Sequence, residues 1–415
     1  MTRATFLLAL PVLLASTTSM MATDLYLPAI PMLPSVLGGD AAGAQYTLAA
    51  FFASFAVGQL IFGALADLYD RRTILICALV AFCAASIACA LAADMDTLIG
   101  LRAVQGLAAS AGTALAPAIL REAGDDGVVV RLISAVSSIQ AVLPAVAPVL
   151  GAWLVVAFGW ASTFWVMAGA AVCTLLAFQA LAKPSPPPHD PDRPGAVRRY
   201  VNLLKMRRFM GYQLSAGFAF GGLIVFIMAA PYLLVTYLGE PTSGFVVMQL
   251  VLIVTFVVSA NLAGRLTDRY SIDGVIVAGT LLQNVSAAGF LVLVLARPEW
   301  LGSVSFTLAM LPLVIGIGMR NGPGFARALF FAGPHTGSAG GLMMFSGMSL
   351  ASLGTQIVAP YLVNGPLSVA LAVVLMSVVS ALILPLAIRP VAAEEESPDA
   401  EDPVPDQPAP VTVEE

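Results

Sequence analysis

The chain has 415 residues, of which 59% are hydrophobic and only 10% charged, with a formal net charge of −5. A soluble domain carries about 25% charged residues, so a soluble globular enzyme is excluded. Recurrent apolar runs, each long enough to cross a ~30 Å hydrocarbon core as a helix, mark an all-α polytopic membrane protein.

Twelve apolar segments begin near Thr5, Ala44, Ile74, Leu98, Val129, Thr163, Phe209, Gly244, Val275, Ser303, Gly337 and Leu367. The longest polar interruption falls between the sixth and seventh and contains KPSPPPHDPDRPG, a linker composition. The division is therefore a six-helix bundle over 1–182, a linker over 183–208, a second bundle over 209–390 and a tail over 391–415. The tail holds nine of the 24 acidic residues and is predicted to be disordered. Without it, 15 acidic residues face 19 Lys and Arg.

Short cytoplasmic loops retain positive charge. With the N-terminus inside, Arg3, Arg71, Arg72, Arg121, Arg131, Arg265, Arg269, Arg327, Arg389 and the basic residues of the linker fall on the inner side, and Arg297 alone falls outside. Both termini are accordingly placed in the cytoplasm, with the chain multi-pass in the inner (plasma) membrane.

The first segment ends in ATDLYLPAIP. It lacks a clear small-residue cleavage site and reads as a retained span. Among the acidic residues before the tail, Asp24 alone lies well inside a span, roughly 28 Å along the helix axis from Thr5. A charge at membrane depth is costly, at ~2.5–3.5 kcal/mol on insertion scales, and usually functional. A lone carboxylate there suits proton binding and release. Pro28 has no N–H to donate to the Asp24 carbonyl, which predicts a polar notch to which Tyr26 can add a hydroxyl.

The second segment runs into Gly63-Ala-Leu-Ala-Asp67-Leu-Tyr, and the eighth into Gly264-Arg-Leu-Thr-Asp268-Arg-Tyr. Matching pieces at equivalent places point to duplicated halves, a transporter architecture with its site between them. In the fourth segment Arg102 and Gln105 are i, i+3 neighbours on one face with Gly106, and Gly106, Ser110 and Thr113 allow close helix approach. Arg102 lies in the same half of the bilayer as Asp24 and is within reach of proton coupling. In the fifth, Pro144 and Pro148 stand one turn apart with Gly151 after them, which predicts a kink. In the seventh, Phe220, Phe226, Met228, Tyr232 and Tyr237 offer an adaptable apolar wall for a lipophilic compound. Gly316, Gly318, Gly322 and Gly324 surround Arg320 and Asn321 in the tenth, a candidate gate. Cys77, Cys83, Cys89 and Cys173 show no C-x-x-C spacing and the two histidines no partner, so no metal, cofactor or enzymatic centre is expected.

Several runs carry a resemblance. GQLIFGALADLYDRR (Gly58–Arg72) resembles the loop signature of the major facilitator superfamily, with Asp70 in place of the usual glycine. LRAVQG (Leu101–Gly106) resembles that superfamily's span-four signature. AVLPAVAPVLGA (Ala141–Ala152) resembles the span-five motif of its drug–proton antiporters, with Ala147 and Ala152 in place of glycines. ATDLYLPAIP resembles the first span of the bicyclomycin/chloramphenicol-resistance (Bcr/CflA) branch.

The resemblance implies twelve transmembrane helices in two pseudo-symmetric bundles, acting as a monomer on small molecules and protons in the lipid bilayer, without cofactor or nucleic acid. Its implied activity is proton-coupled efflux of amphipathic drugs, chloramphenicol- or bicyclomycin-like. The alternative is export of an endogenous metabolite or siderophore. Beside the resemblance, the residues themselves give the expectation of proton coupling through Asp24 and Arg102, and of a substrate cavity with Tyr26, Gln105, Phe226, Met228, Tyr232 and Asn321. By the resemblance, a conformational latch would form from Gly63, Asp67, Arg71, Arg72, Arg121 and Glu122, and the Pro144–Pro148–Gly151 helix would oppose leakage.

Overall fold

Prolines and glycines punctuate an otherwise continuous series of apolar helices. The computed structural model describes residues 3–66, 68–121, 143–144, 146–181, 196–333 and 336–388, which are helical with no strand among them. The first half comprises α1 (Arg3–Asp24), a 3₁₀ segment Leu27–Met32, α2 (Leu33–Leu37), α3 (Ala41–Leu65), α4 (Arg71–Ala90) and α5 (Met95–Arg121). It continues with α6 (Val146–Phe158) and α7 (Ala161–Leu181). After α8 (Ala196–Lys205), the second half comprises α9 (Arg207–Pro231), which widens into a π-helical segment Tyr232–Tyr237, then α10 (Thr242–Arg269) and α11 (Ile272–Ala296). It ends with α12 (Ser303–Phe331), α13 (Thr336–Val358) and α14 (Leu367–Ile383). Among the described residues eleven spans are long and apolar enough to cross a membrane, and the shorter apolar α6 holds the fifth position.

The packing repeats between halves. α5 sits against α1, α3 and α4 as α12 sits against α9, α10 and α11, while α7 closes on α1 and α4 as α14 closes on α9 and α11. The halves meet along α3 and α13. Ser352 Oγ donates to the Ala49 carbonyl at 2.8 Å, and Gln45 Nε2 donates to the Met228 carbonyl at 3.2 Å. With lipid as apolar as the helix faces, small residues set how closely helices approach. A Cβ on Gly316 would come within 3.0 Å of the Gln283 backbone nitrogen and closer still to the Gly279 carbonyl oxygen. Neither can retreat as a flexible side chain would. Gly316→Ala is therefore expected to destabilise the α11–α12 contact by about 1–3 kcal/mol, read as a lower melting temperature of the detergent-solubilised protein. An unchanged melting temperature would contradict this packing.

Asp70, standing in place of the glycine usual in the resembled signature, has φ −59° and caps α4, accepting from the Thr73 N–H at 2.8 Å and Thr73 Oγ1 at 2.6 Å. The position serves a helix start rather than a left-handed turn. Asp94 does the same before α5, and its bonds from Thr97 hold its carboxyl below the usual range. The linker, read as irregular over 183–208, contains α8, and α9 already begins at Arg207. Leu203 is wholly buried where α8 packs on α9 and α13. The Tyr200 hydroxyl lies beside Gly63 of α3 and Gly341 of α13, at the opposite end of the seam from Ala49. The acidic tail lies outside the described residues.

Candidate functional site

The site is built on the break at the end of α1. Pro28 and Pro31 supply no N–H, so the chain leaves the α-helix after Asp24 and tightens into 3₁₀ geometry. The Tyr26 N–H bonds to the Thr23 carbonyl at 3.2 Å rather than one residue further back. The Ala22 carbonyl, released from that partner, accepts from Arg102 Nη1 of α5 at 3.2 Å.

Arg102 is wholly buried inside the first bundle. The same Nη1 donates to Gln105 Oε1 at 2.5 Å, and Gln105 Nε2 passes the network to Ser86 Oγ of α4 at 2.8 Å. The guanidinium carbon lies 4.6 Å from the Tyr26 ring centroid, 4.3 Å from that of Phe51 and 5.8 Å from that of Phe164. Its Nε and Nη2 have no hydrogen-bond partner. This is a cation held by a carbonyl, an amide and three aromatic faces, and no carboxylate among the described residues pairs with it.

Asp24 points elsewhere. With Met20 and Thr23 it forms one face of α1 and lines a cavity between the halves, about 1210 Å³ of space not filled by protein atoms, part of it open to the outside of the protein. Phe51, Phe52 and Phe55 of α3 make one wall, and Phe220, Leu223, Ile227 and Met228 of α9 another. α10 adds Phe245, Met248, Gln249 and Phe256, α12 adds Val314 and α13 adds Met348. Among the described residues lining it, Asp24 alone is ionisable, and no hydrogen bond or ion pair reaches its carboxylate. Phenyl and thioether walls around one carboxylate accept a bulky apolar body and favour a cationic or hydrogen-bond-donating group at one place.

Of the six residues expected to line a substrate cavity, Met228 is on the wall of this one and the other five are not among its lining residues. Tyr26 is buried in the first bundle with its hydroxyl on Thr47 Oγ1 at 2.9 Å, and Gln105 is engaged by Arg102 and Ser86. Phe226 packs into the second bundle, edge-on to Phe290 at 5.6 Å. Tyr232 belongs to the π-helical segment and Asn321 is exposed on α12. The cavity's aromatic wall comes chiefly from α3 and α10, and Ser19 and Gln249 are polar lining residues that the sequence did not single out. Arg320, expected beside a gate, is only 3% exposed. It donates to Ser215 Oγ at 2.6 Å, Ser380 Oγ at 2.7 Å and Gln283 Oε1 at 3.4 Å, tying α9, α11, α12 and α14 together.

Of the expected latch, Gly63 faces Tyr200, Arg71 Nε donates to the Ala66 carbonyl at 3.2 Å, and Arg72 is buried. Asp67, Glu122 and the Arg121 side chain lie outside the described residues. Pro144 lines the cavity, Pro148 is buried in α6, and Gly151 lies against the Leu25 carbonyl of the α1 break.

Comparison with known proteins places these features in a group. Residues 12–355 match the family model described as Major Facilitator Superfamily. The chain is 28% identical to a chloramphenicol resistance protein of Pseudomonas aeruginosa over 371 residues, covering 85% of this chain and 84% of the relative. It is 25% identical to a bicyclomycin resistance protein homolog of Haemophilus influenzae over 325 residues, 77% of this chain and 79% of that one. In fold it is similar to a bacterial homolog of the human lysosomal transporter Spinster, with a TM-score of 0.68 at 14% identity, covering 93% of this chain and 96% of that chain.

Proposed function

This chain belongs to the major facilitator superfamily, and we propose that it is a proton-coupled exporter of small amphipathic drugs, of the bicyclomycin/chloramphenicol-resistance type. It works by alternating access in the inner membrane with both termini in the cytoplasm, as a monomer and without a cofactor. That it is a multi-pass membrane transporter and not an enzyme follows from the fold and family.

The observation that carries the finer reading is Asp24, an unpaired carboxylate on the wall of a cavity between two repeated bundles. Ionised and open to the inside, it favours a lipophilic substrate. Protonated and open to the outside, it releases that substrate, so proton and drug alternate at one group. The drug-resistance names of two relatives support the substrate class. The cross-seam bonds Gln45–Met228 and Ser352–Ala49 are of the kind that must open when the cavity turns to the other side.

The test is inside-out membrane vesicles with an acidified lumen and a fluorescent pH dye. Adding chloramphenicol is expected to raise lumen pH only where the protein is present. Chloramphenicol transport without any change in lumen pH would contradict proton exchange.

A further inference from the structure

Gln249 of α10 is 3% exposed and lines the cavity. Its Oε1 is enclosed without a hydrogen-bond partner, and its amide makes no hydrogen bond to any other side chain or to the backbone. The cavity-facing residues around it on the same helix, Phe245, Met248, Leu252 and Ile253, are apolar. A buried amide left unpaired is uncommon and unfavourable in a finished structure. Elsewhere the buried glutamines make at least one hydrogen bond: Gln59 donates to Thr113, Gln105 to Ser86, Gln283 to Ser377, and Gln45, whose Oε1 is likewise unpartnered, to the Met228 carbonyl. Gln249 differs from these in facing the chamber.

The geometry points to Gln249 as the specificity-determining residue that the second half contributes to the cavity, hydrogen-bonding a hydroxyl or amide group of the transported compound. An amide carries an acceptor and two donors, and a half-turn of the group exchanges them. Its natural complements are therefore groups that both donate and accept. Asp24, with the Ser19 and Thr23 hydroxyls that donate to their own helix, makes the polar side of the chamber on the first half, and Gln249 the polar point on the second, with phenyl and thioether surface between. The compounds selected are lipophilic bodies bearing a hydroxyl or amide, while acids are disfavoured because no cationic side chain among the described residues lines the wall. Arg102 is not among the lining residues and lies behind the Phe51 ring in the first bundle.

This inference rests on the drug-export reading, and one experiment separates the two. Full-length protein, wild type and Gln249→Met, is purified in detergent, and binding of radiolabelled chloramphenicol and tetraphenylphosphonium is measured. Chloramphenicol carries hydroxyls and an amide, whereas tetraphenylphosphonium is a lipophilic cation with no hydrogen-bonding group. Gln249→Met keeps the side chain's length and removes its amide. It is expected to weaken chloramphenicol binding by about three- to tenfold, the size of one hydrogen bond, and to leave tetraphenylphosphonium binding unchanged. The second probe, in the same preparation, reports that the variant is folded. Unchanged chloramphenicol binding, or equal weakening of both probes, overturns the role of Gln249 while leaving drug export standing. Wild-type binding of tetraphenylphosphonium alone also overturns it. Wild-type protein that binds neither probe overturns the export reading and this inference together.

Discussion

Asp24→Asn is expected to abolish pH-gradient-driven efflux while leaving the amount of inserted protein unchanged. Asparagine has nearly the shape of the carboxyl but cannot gain or lose a proton in the physiological range. The native carboxylate makes no hydrogen bond or ion pair in this structure, so the substitution breaks no structural contact, and the neutral amide removes a costly charge at membrane depth. The loss falls on energy coupling. One charge crossing 100 mV supplies ~2.3 kcal/mol and each pH unit ~1.4 kcal/mol. At ~1.4 kcal/mol per tenfold, one proton sustains a drug gradient of roughly several hundredfold. With Asp24→Asn that gradient should collapse to simple equilibration, insensitive to lumen pH. Wild-type accumulation by the variant would remove Asp24 from the coupling.

Arg102→Leu is expected to lower transport by about tenfold or more and to cost up to a few kcal/mol of stability. The two sides of the balance decide this. Removing the guanidinium relieves ~2.5–3.5 kcal/mol of charge burial. Against that, the Ala22 carbonyl and Gln105 Oε1 lose their donor, at about 1–3 kcal/mol each, and the aromatic cage loses about 0.5–2 kcal/mol of cation–π attraction. The losses equal or exceed the relief, so stability falls by up to a few kcal/mol. Transport falls further, because the Arg102–Ala22 bond pins the end of α1 two residues before Asp24. Arg102→Lys should recover little, since an ammonium lies poorly over three rings and cannot present a planar fork. The measurement is vesicle uptake normalised to folded protein, and a wild-type rate in Arg102→Leu would show that the anchor is dispensable.

Much of this was legible in the sequence, for particular physical reasons. Span positions follow from apolar length. The α1 break follows from Pro28 and Pro31, two prolines within one turn whose missing N–H groups leave the carbonyls one turn back without their helical partners. Asp24 and Arg102 stood out because charge at membrane depth needs a reason. The cavity wall was much less legible, since in a chain 59% hydrophobic a phenylalanine can face lipid, bundle core or chamber with the same local pattern. Phe226 and Phe245 illustrate the point, one packed against Phe290 and the other on the chamber wall. Gln249 carried a weak signal, an amide in an apolar run, but its lack of a partner exists only in three dimensions. Arg320 was read as part of a gate because glycines surround it, whereas its three partners come from α9, α11 and α14. α8 went unread because a ten-residue helix after a proline-rich run has too few turns to declare a period.

The most direct test is proton release on binding, followed with a pH indicator in weakly buffered detergent solution as tetraphenylphosphonium is added to purified protein. If one carboxylate serves proton and substrate in turn, linkage requires that binding the cation drive the proton off. Wild-type protein should then acidify the solution in step with occupancy, and Asp24→Asn should not. Binding that leaves the pH unmoved in wild-type protein, or moves it equally in the variant, would contradict the shared group.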